Sequence, residues 1–383
     1  MRDAIRLDRP YAPDALAALV ASHGTPLFVI DCDLIRRQYH ALAAALPGVD
    51  LHYALKPLPD PTVVRVLARE GAWFDLATNG EVDLVSEAGI EAARCIHTHP
   101  IKRDADIRHA LDYGVATFVA DNPDELPKFL PYRDRVRLLI RLAFRSPEAI
   151  VDLSRKFGCD PESAIALMEQ SRKLGLRVAG LSFHVGSQVA RPDMYLRAIL
   201  ACGKFLAEAS ARELGPLELL DIGGGFPIDY LEPVTPIAEF CTPIRAALAR
   251  LPPGLRIIAE PGRYICGPSV FALATVMGRA RRDGRWWYYL DDGLYGTYSG
   301  QLYDHSRFPV EPVKPHPGPR LPCVIAGPTC DSIDVVAEDL AMPELAIGEL
   351  VIGRQIGAYS LATATDFNFF PRARVLAVNV APR

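Results

Sequence analysis

The eight cysteines of the 383-residue chain, Cys32, Cys95, Cys159, Cys202, Cys241, Cys266, Cys323 and Cys330, include no C-x-x-C pair. That spacing argues against a zinc ribbon and a disulfide framework, and for a reducing compartment. Also missing is any apolar run of roughly 18 residues, the length a membrane span needs. The first residues, MRDAIRLDRP, are charged and hold no apolar signal core. A cytoplasmic protein without membrane contact is expected. Basic charge is not in surplus: 42 Lys and Arg against 46 Asp and Glu leave a net charge of −4, so no nucleic-acid partner is expected. Nucleotide signatures are lacking too, since the glycines at 223–225 belong neither to G-x-G-x-x-G nor to a motif with the Walker lysine.

What is present suits a large core: 50% of residues are hydrophobic, in a chain longer than one typical domain. Eight short apolar runs alternate with helix-like segments: LHYALK (51–56), WFDLAT (73–78), RCIHTH (94–99), ATFVAD (116–121), RLLIRLA (137–143), GLSFHVGS (180–187), ELLDIGGG (218–225) and RIIAEPG (256–262). Eightfold strand–helix alternation predicts an α/β fold, a (β/α)8 barrel, with a doubly wound open sheet as the competitor. Beyond about 265 the pattern becomes all-β. FALATVMGRARRDGRWWYYLDDG reads as two strands joined at Asp283-Gly284, and PCVIAG, GELVIGR and RVLAVNV read as further strands. The proline-rich stretch 306–320 reads as a surface loop. The expected division is a barrel over 32–265 and a β-sandwich or β-barrel domain from 1–31 plus 266–383, which the early run PLFVID would join.

Chemistry in such barrels sits at the C-terminal strand ends. Those ends carry Lys56, Asp75, His97, His99, Asp121, Arg141, His184, Ser187, Gly223–Gly225 and Glu260. Lys56 closes an apolar run. It is either a lysine snorkelling from a strand end or an amine activated by its apolar surroundings for attack on a carbonyl. Three bare glycines after a late strand suit either a tight turn or a phosphate cradle. Glu260, in EPGRY, is either an ion-pair partner or the carboxylate that keeps a pyridine nitrogen protonated. His184 is either a core histidine or a stacking face for a flat ligand. His97 and His99 alternate on one strand, but no third ligand accompanies them, and no metal is expected. Lysine, phosphate cradle, carboxylate and stacking face together describe a site for pyridoxal 5′-phosphate.

The motifs FDLAT, LSRKFG, FHVGSQ, LDIGGGFP, EPGRY, LYDH, GPTCDSID and GAYS, spread over nearly the whole chain, resemble the fold type III pyridoxal-phosphate decarboxylases of the ornithine/lysine/diaminopimelate group. The resemblance implies that Lys56 attaches to the cofactor, His184 stacks on its ring and Glu260 pairs with the ring nitrogen. It implies that Ser187, Gly224, Gly225, Gly262, Arg263 and Tyr359 bind the phosphate, with Asp75 and Arg141 beside the cofactor and its lysine. Cys330 matches the residue that protonates the substrate carbon. Tyr295, Tyr303, Asp304, Asp331 and Phe367 match substrate-binding positions. Asp304 and Asp331 suit a distal ammonium and repel a distal carboxylate. The activity implied is decarboxylation of ornithine or lysine to putrescine or cadaverine, in polyamine biosynthesis, by a head-to-tail homodimer with shared sites. Diaminopimelate, a D-amino acid or a biosynthetic intermediate are the alternative substrates. A non-catalytic homologue and a metal-dependent barrel hydrolase are the other readings. The lack of the animal enzymes' long tail suggests a bacterial member.

Overall fold

The chain sets one strand outside the barrel, β1 (Leu27–Asp31), before it lays down β2 (Val49–Ala54), β3 (Trp73–Leu76), β4 (Cys95–His97), β5 (Thr117–Ala120), β6 (Arg137–Leu142), β7 (Val178–Phe183), β8 (Leu219–Asp221) and β9 (Arg256–Ala259). This is a computed structural model and describes residues 5–144 and 155–382. Leu153 and Ser154 of the LSRKFG motif lie outside the described residues. Each strand from β2 to β9 pairs in parallel with the next, and β9 returns to β2 with Leu51 opposite Ala259. The sheet is therefore a closed barrel rather than the open alternative.

Ile96, Val119, Leu139, Ala179, Leu219 and Ile258, one from each of β4 to β9, pack into a single buried apolar cluster. Side chains alternate across a strand, so His97 projects to the face opposite Ile96. Its buried ring lies 5.6 Å from that of Phe118, and neither ring nitrogen has a hydrogen-bond partner. Amphipathic helices cover the strands. The helix Pro61–Arg69 starts at Asp60, whose carboxylate accepts from the N–H groups of Thr62 and Val63 (2.7 and 3.0 Å), and it buries Val63, Val64, Val66 and Leu67. Between β5 and β6 a 3-10 stretch, Pro123–Tyr132, replaces the usual helix. Pro127 and Pro131 remove the amide donors that a regular α-helix would need there.

The remaining strands are β10 (Val270–Arg282), β11 (Arg285–Leu290), β12 (Val310–Pro312), β13 (Leu321–Ala326), β14 (Val335–Met342), β15 (Leu350–Gly353) and β16 (Arg374–Val378). They run in the order β12-β15-β10-β11-β13-β14, and β1 lies between β10 and β16. Asp283 and Gly284 turn the β10–β11 hairpin with φ of 47° and 79°, the left-handed pair that a type I′ turn requires. Two strands depart from the sequence reading. Val310–Pro312 lies inside the stretch read as a loop and pairs with β15; three residues are too few to show a period. β14 was not foreseen: its alternation is interrupted by register shifts against β13 and by Asp339 at a φ of 56°. By internal contacts one unit comprises Met1–Arg36, Ile228–Pro233 and Ile265–Arg383, and the other Arg37–Pro227 and Val234–Tyr264. No helix among the described residues is long and apolar enough to cross a membrane.

Leu139 is fully buried in the barrel cluster. Leu139→Ala is expected to lower the unfolding free energy by about 2–5 kcal/mol, seen as a lower urea midpoint at unchanged slope. An unchanged midpoint would mean that this layer is not close-packed.

Candidate functional site

Lys56 stands two residues beyond β2, where Ala54 N–H donates to the Pro261 carbonyl (3.2 Å) and ties the end of β2 to the segment after β9. Its Nζ lies 3.5 Å from Asp75 Oδ2 on β3. The Asp75 side chain is 2% exposed and that of Lys56 is 39%, so the lysine reaches from a buried carboxylate toward the barrel mouth. The Thr98 hydroxyl donates to the other Asp75 oxygen. Glu81 caps the next helix: its carboxylate accepts from Ala77 N–H, and its own N–H donates to Thr78 Oγ1. Burial pushes the Glu81 carboxyl up to about 7, and the nearby Asp75 charge adds to that.

His184 follows β7. Gly186 N–H donates to its Nδ1 (3.0 Å), which fixes Nδ1 as the unprotonated nitrogen. Burial, then the charges of Lys56 and Arg141, hold its pKa well below the usual histidine value, so the ring is neutral. The Arg141 guanidinium lies 5.5 Å from the centre of the Phe157 ring.

The glycines after β8 are required by close approach. A Cβ at Gly225 would overlap the Gly186 carbonyl, and Gly225 has a φ of 109°. A Cβ at Gly224 would lie 2.5 Å from the Glu260 carbonyl oxygen and 3.3 Å from His184 Nε2. At Gly262 it would lie 2.7 Å from Pro57. The buried Tyr195 hydroxyl donates to the Gly224 carbonyl (2.7 Å) and anchors the turn. Nearby, Arg263 donates through Nε and Nη2 to Ser187 Oγ (3.2 and 2.8 Å). Bare backbone, a hydroxyl and a guanidinium form the donor set an anion such as phosphate needs.

Glu260 follows β9, and its N–H donates to the Gly223 carbonyl (2.8 Å), which sets it beside the end of β8 that carries Asp221. Burial holds the titration of both acids above the ordinary carboxyl range; the Asp75 charge adds to it at Asp221, and the charges of Asp221 and Asp75 add to it at Glu260.

A second group of residues belongs to the other unit. Cys330 is exposed, and its N–H donates to Asn368 Oδ1 (3.0 Å). The Tyr295 hydroxyl donates to Asp331, while the Tyr295 ring stacks on Phe367 at 4.5 Å. Asp334 organises this loop. It is 2% exposed and accepts from Leu294 N–H (2.7 Å), Thr329 N–H (3.0 Å) and Thr329 Oγ1 (2.7 Å). Asp304 is buried and accepts from the Ser306 hydroxyl (2.7 Å), whereas its neighbour Tyr303 is exposed. Tyr359 has a left-handed φ of 55°.

Barrel closure thus gathers Lys56, Asp75, Arg141, His184, Ser187, Gly224, Gly225, Glu260, Gly262 and Arg263 on one unit. Tyr295, Tyr303, Asp304, Cys330, Asp331, Tyr359 and Phe367 are on the other. His99 packs its ring edge-on to Phe157, 5.5 Å away. No group of three metal-ligating side chains occurs among the described residues. Sequence reasoning passed over Asp221, Tyr195, Glu81 and Asp334. Asp221 had a signal, as an acid at a barrel strand end. Tyr195 had none, since in sequence it is one more apolar position on its helix.

Residues 32–267 match the family described as pyridoxal-dependent decarboxylase, pyridoxal binding domain. The chain is 36% identical over 348 residues to the lysine/ornithine decarboxylase of Selenomonas ruminantium, covering 90% of this chain and 88% of that one. It is similar to the crystal structure of lysine/ornithine decarboxylase from Vibrio vulnificus complexed with putrescine, at 52% identity and a TM-score of 0.93, covering 98% of this chain and 100% of the other. The cadaverine complex of the Vibrio vulnificus lysine/ornithine decarboxylase matches at 53% identity and a TM-score of 0.93, covering 97% and 100%.

A methyl group at Gly225 must displace the turn. Gly225→Ala is expected to weaken binding of pyridoxal phosphate at least roughly tenfold, read by absorbance titration of the ligand-free protein. Unchanged affinity would remove the glycine turn from the phosphate site.

Proposed function

This chain belongs to the pyridoxal-dependent decarboxylases, and we propose that it converts ornithine and lysine to putrescine and cadaverine in the cytoplasm as a head-to-tail homodimer. The enzyme uses pyridoxal 5′-phosphate, and the residues of the barrel mouth fit that group: a glycine cradle that a Cβ would fill, an Arg263–Ser187 donor pair, and a neutral histidine face. Bound there, the cofactor supplies the electron sink for the pair released when carbon dioxide departs.

The chain's own residues do the rest. Lys56 is the attachment point, kept available beside Asp75. His184 offers a flat, neutral face that adds no positive charge against a protonated ring. Glu260 is the acceptor for the ring nitrogen's proton, and Arg141 stands at the end of β6 in the same mouth. Ser187, Gly224, Gly225, Gly262, Arg263 and Tyr359 hold the phosphate. The Cys330 thiol gives its proton to the substrate α-carbon. Asp304 and Asp331 hold the distal ammonium, and Tyr295, Tyr303 and Phe367 wall the pocket.

The observation that carries the substrate class is the fixed Asp331 carboxylate: Tyr295 and the Ile333 N–H (3.2 Å) both donate to it. Those bonds hold its pKa below the usual aspartate value, so it stays ionised. An anchored negative charge attracts an ammonium and repels a second carboxylate, which disfavours diaminopimelate. The dimer is supported by the surroundings of Cys330. Phe369 is 94% exposed and Ile333 51%, apolar surface that a partner subunit would cover while its own lysine met the cysteine.

Two outcomes test this. Asp331→Ala should lower kcat/KM for ornithine and lysine at least roughly tenfold, with the amine products identified chromatographically; unchanged kinetics would take Asp331 out of the pocket. Subunits carrying Lys56→Ala, which alone should lack the visible absorbance of protein-bound cofactor, should regain activity when mixed with Cys330→Ala subunits. Each hybrid then has one intact site. No recovery would count against shared sites.

A further inference from the structure

Asp221 has no role in the chemistry set out above, yet it is 1% exposed at the mouth of the barrel. Its place is fixed from both sides. Ile222 N–H donates to the Ile258 carbonyl (2.9 Å), and Glu260 N–H donates to the Gly223 carbonyl (2.8 Å), so the ends of β8 and β9 run side by side. Asp221 Oδ1 accepts from Gly223 N–H at 2.8 Å. The Asp221 and Glu260 carboxyls, 1% and 7% exposed, are thus two buried acids at neighbouring strand ends. Two carboxyl groups can hydrogen-bond to each other only when a proton lies between them.

From this geometry we propose that Asp221 is a positioning residue, sharing one proton with Glu260 and thereby fixing the Glu260 carboxyl toward the cofactor's ring nitrogen. The proposal rests on the reading that Glu260 meets that nitrogen. Without the shared proton, Asp221, Glu260 and Asp75 would place three buried negative charges opposite Lys56 and Arg141. The raised titration of both acids agrees with one proton being retained. With the shared proton on Glu260, Glu260 is the donor and Asp221 the acceptor. When Glu260 must itself accept a hydrogen bond from the ring side, its O–H bond breaks and an O–H bond forms at Asp221. Asp221 then donates back to Glu260, and the pair gains and loses no proton. Asp221 Oδ1 stays bonded to Gly223 throughout, so the same carboxyl ties the glycine turn to Glu260.

Two variants separate the roles. D221N keeps the acceptor oxygen for Gly223 and gives Glu260 a permanent amide donor; D221A removes both. In the ligand-free protein at neutral pH, the infrared difference between wild type and D221N should show a lost carboxylic-acid C=O band that shifts in heavy water, and E260Q should lose the same band. A difference spectrum without that loss overturns the proposal, and needs no cofactor. In protein loaded with pyridoxal phosphate labelled with 15N in the ring, D221N should keep the protonated-nitrogen signal. D221A should move it toward the neutral form and weaken cofactor binding about tenfold. A D221A protein with a wild-type nitrogen signal overturns the proposal, whether or not its affinity falls, because the residue would then serve only the turn. Should D221A fail to fold, the infrared result and D221N still decide. If E260Q itself keeps the wild-type nitrogen signal, Glu260 does not face the nitrogen, a failure distinct from that of the proton-sharing pair.

Discussion

Everything at the barrel mouth depends on the pairing of β9 with β2. Lys56 and Glu260 are some two hundred positions apart in sequence, and neither strand alone places anything near the other. Once Leu51 lies opposite Ala259 and Ala54 N–H reaches the Pro261 carbonyl, both residues stand on one rim. The same closure sets Asp75, on the strand beside β2, under the lysine. The rim is held by backbone hydrogen bonds and by an interior layer of Ile, Val, Leu and Ala, not by the polar groups it presents. Polar groups on a rigid frame can be placed where their own interactions are unfavourable.

Charge at the mouth shows that freedom being used. Asp75, Asp221 and Glu260 are all nearly sealed from water, a concentration of acids that no surface would tolerate cheaply. Lys56 offsets part of it at 3.5 Å from Asp75, and the proton proposed between the other two would offset more. A neutral His184 completes the pattern, since a second cation there would compete with the lysine for the same carboxylates. The site thereby offers what a ligand with a positive ring and a negative phosphate needs: buried acids for the one, and the glycine turn with Arg263 and Ser187 for the other.

The sequence was readable where function and strand end coincide. Lys56, His184, Glu260 and the three glycines announced themselves because polar or bare residues interrupt apolar runs at a regular interval. The Asp-Gly hairpin was readable because its turn type demands left-handed backbone. What escaped had physical reasons. Tyr195 looks like any core position on its helix, and only its hydroxyl contact to Gly224 gives it a task. Asp221 was overshadowed by the glycines it precedes. The expected same-face His97 and His99 pair dissolved because His99 lies beyond the strand, where alternation no longer holds, while His97 faces away from the barrel interior. β12 and β14 were hidden by shortness and by register shifts, which erase the period that sequence reading relies on.

The two acids assigned to the distal ammonium differ in their surroundings. Asp304 is buried and tied to Ser306, whereas Asp331 sits on an exposed loop, braced by Tyr295 and by a chain of bonds to Asp334. Ornithine and lysine differ by one methylene, which a pocket distinguishes by only about 1–3 kcal/mol even when its walls are rigid. On the proposed reading, two acids facing the distal group select strongly for a positive charge there, while one methylene more or less remains a weak discriminator, so dual acceptance of the two amino acids is the behaviour that reading favours.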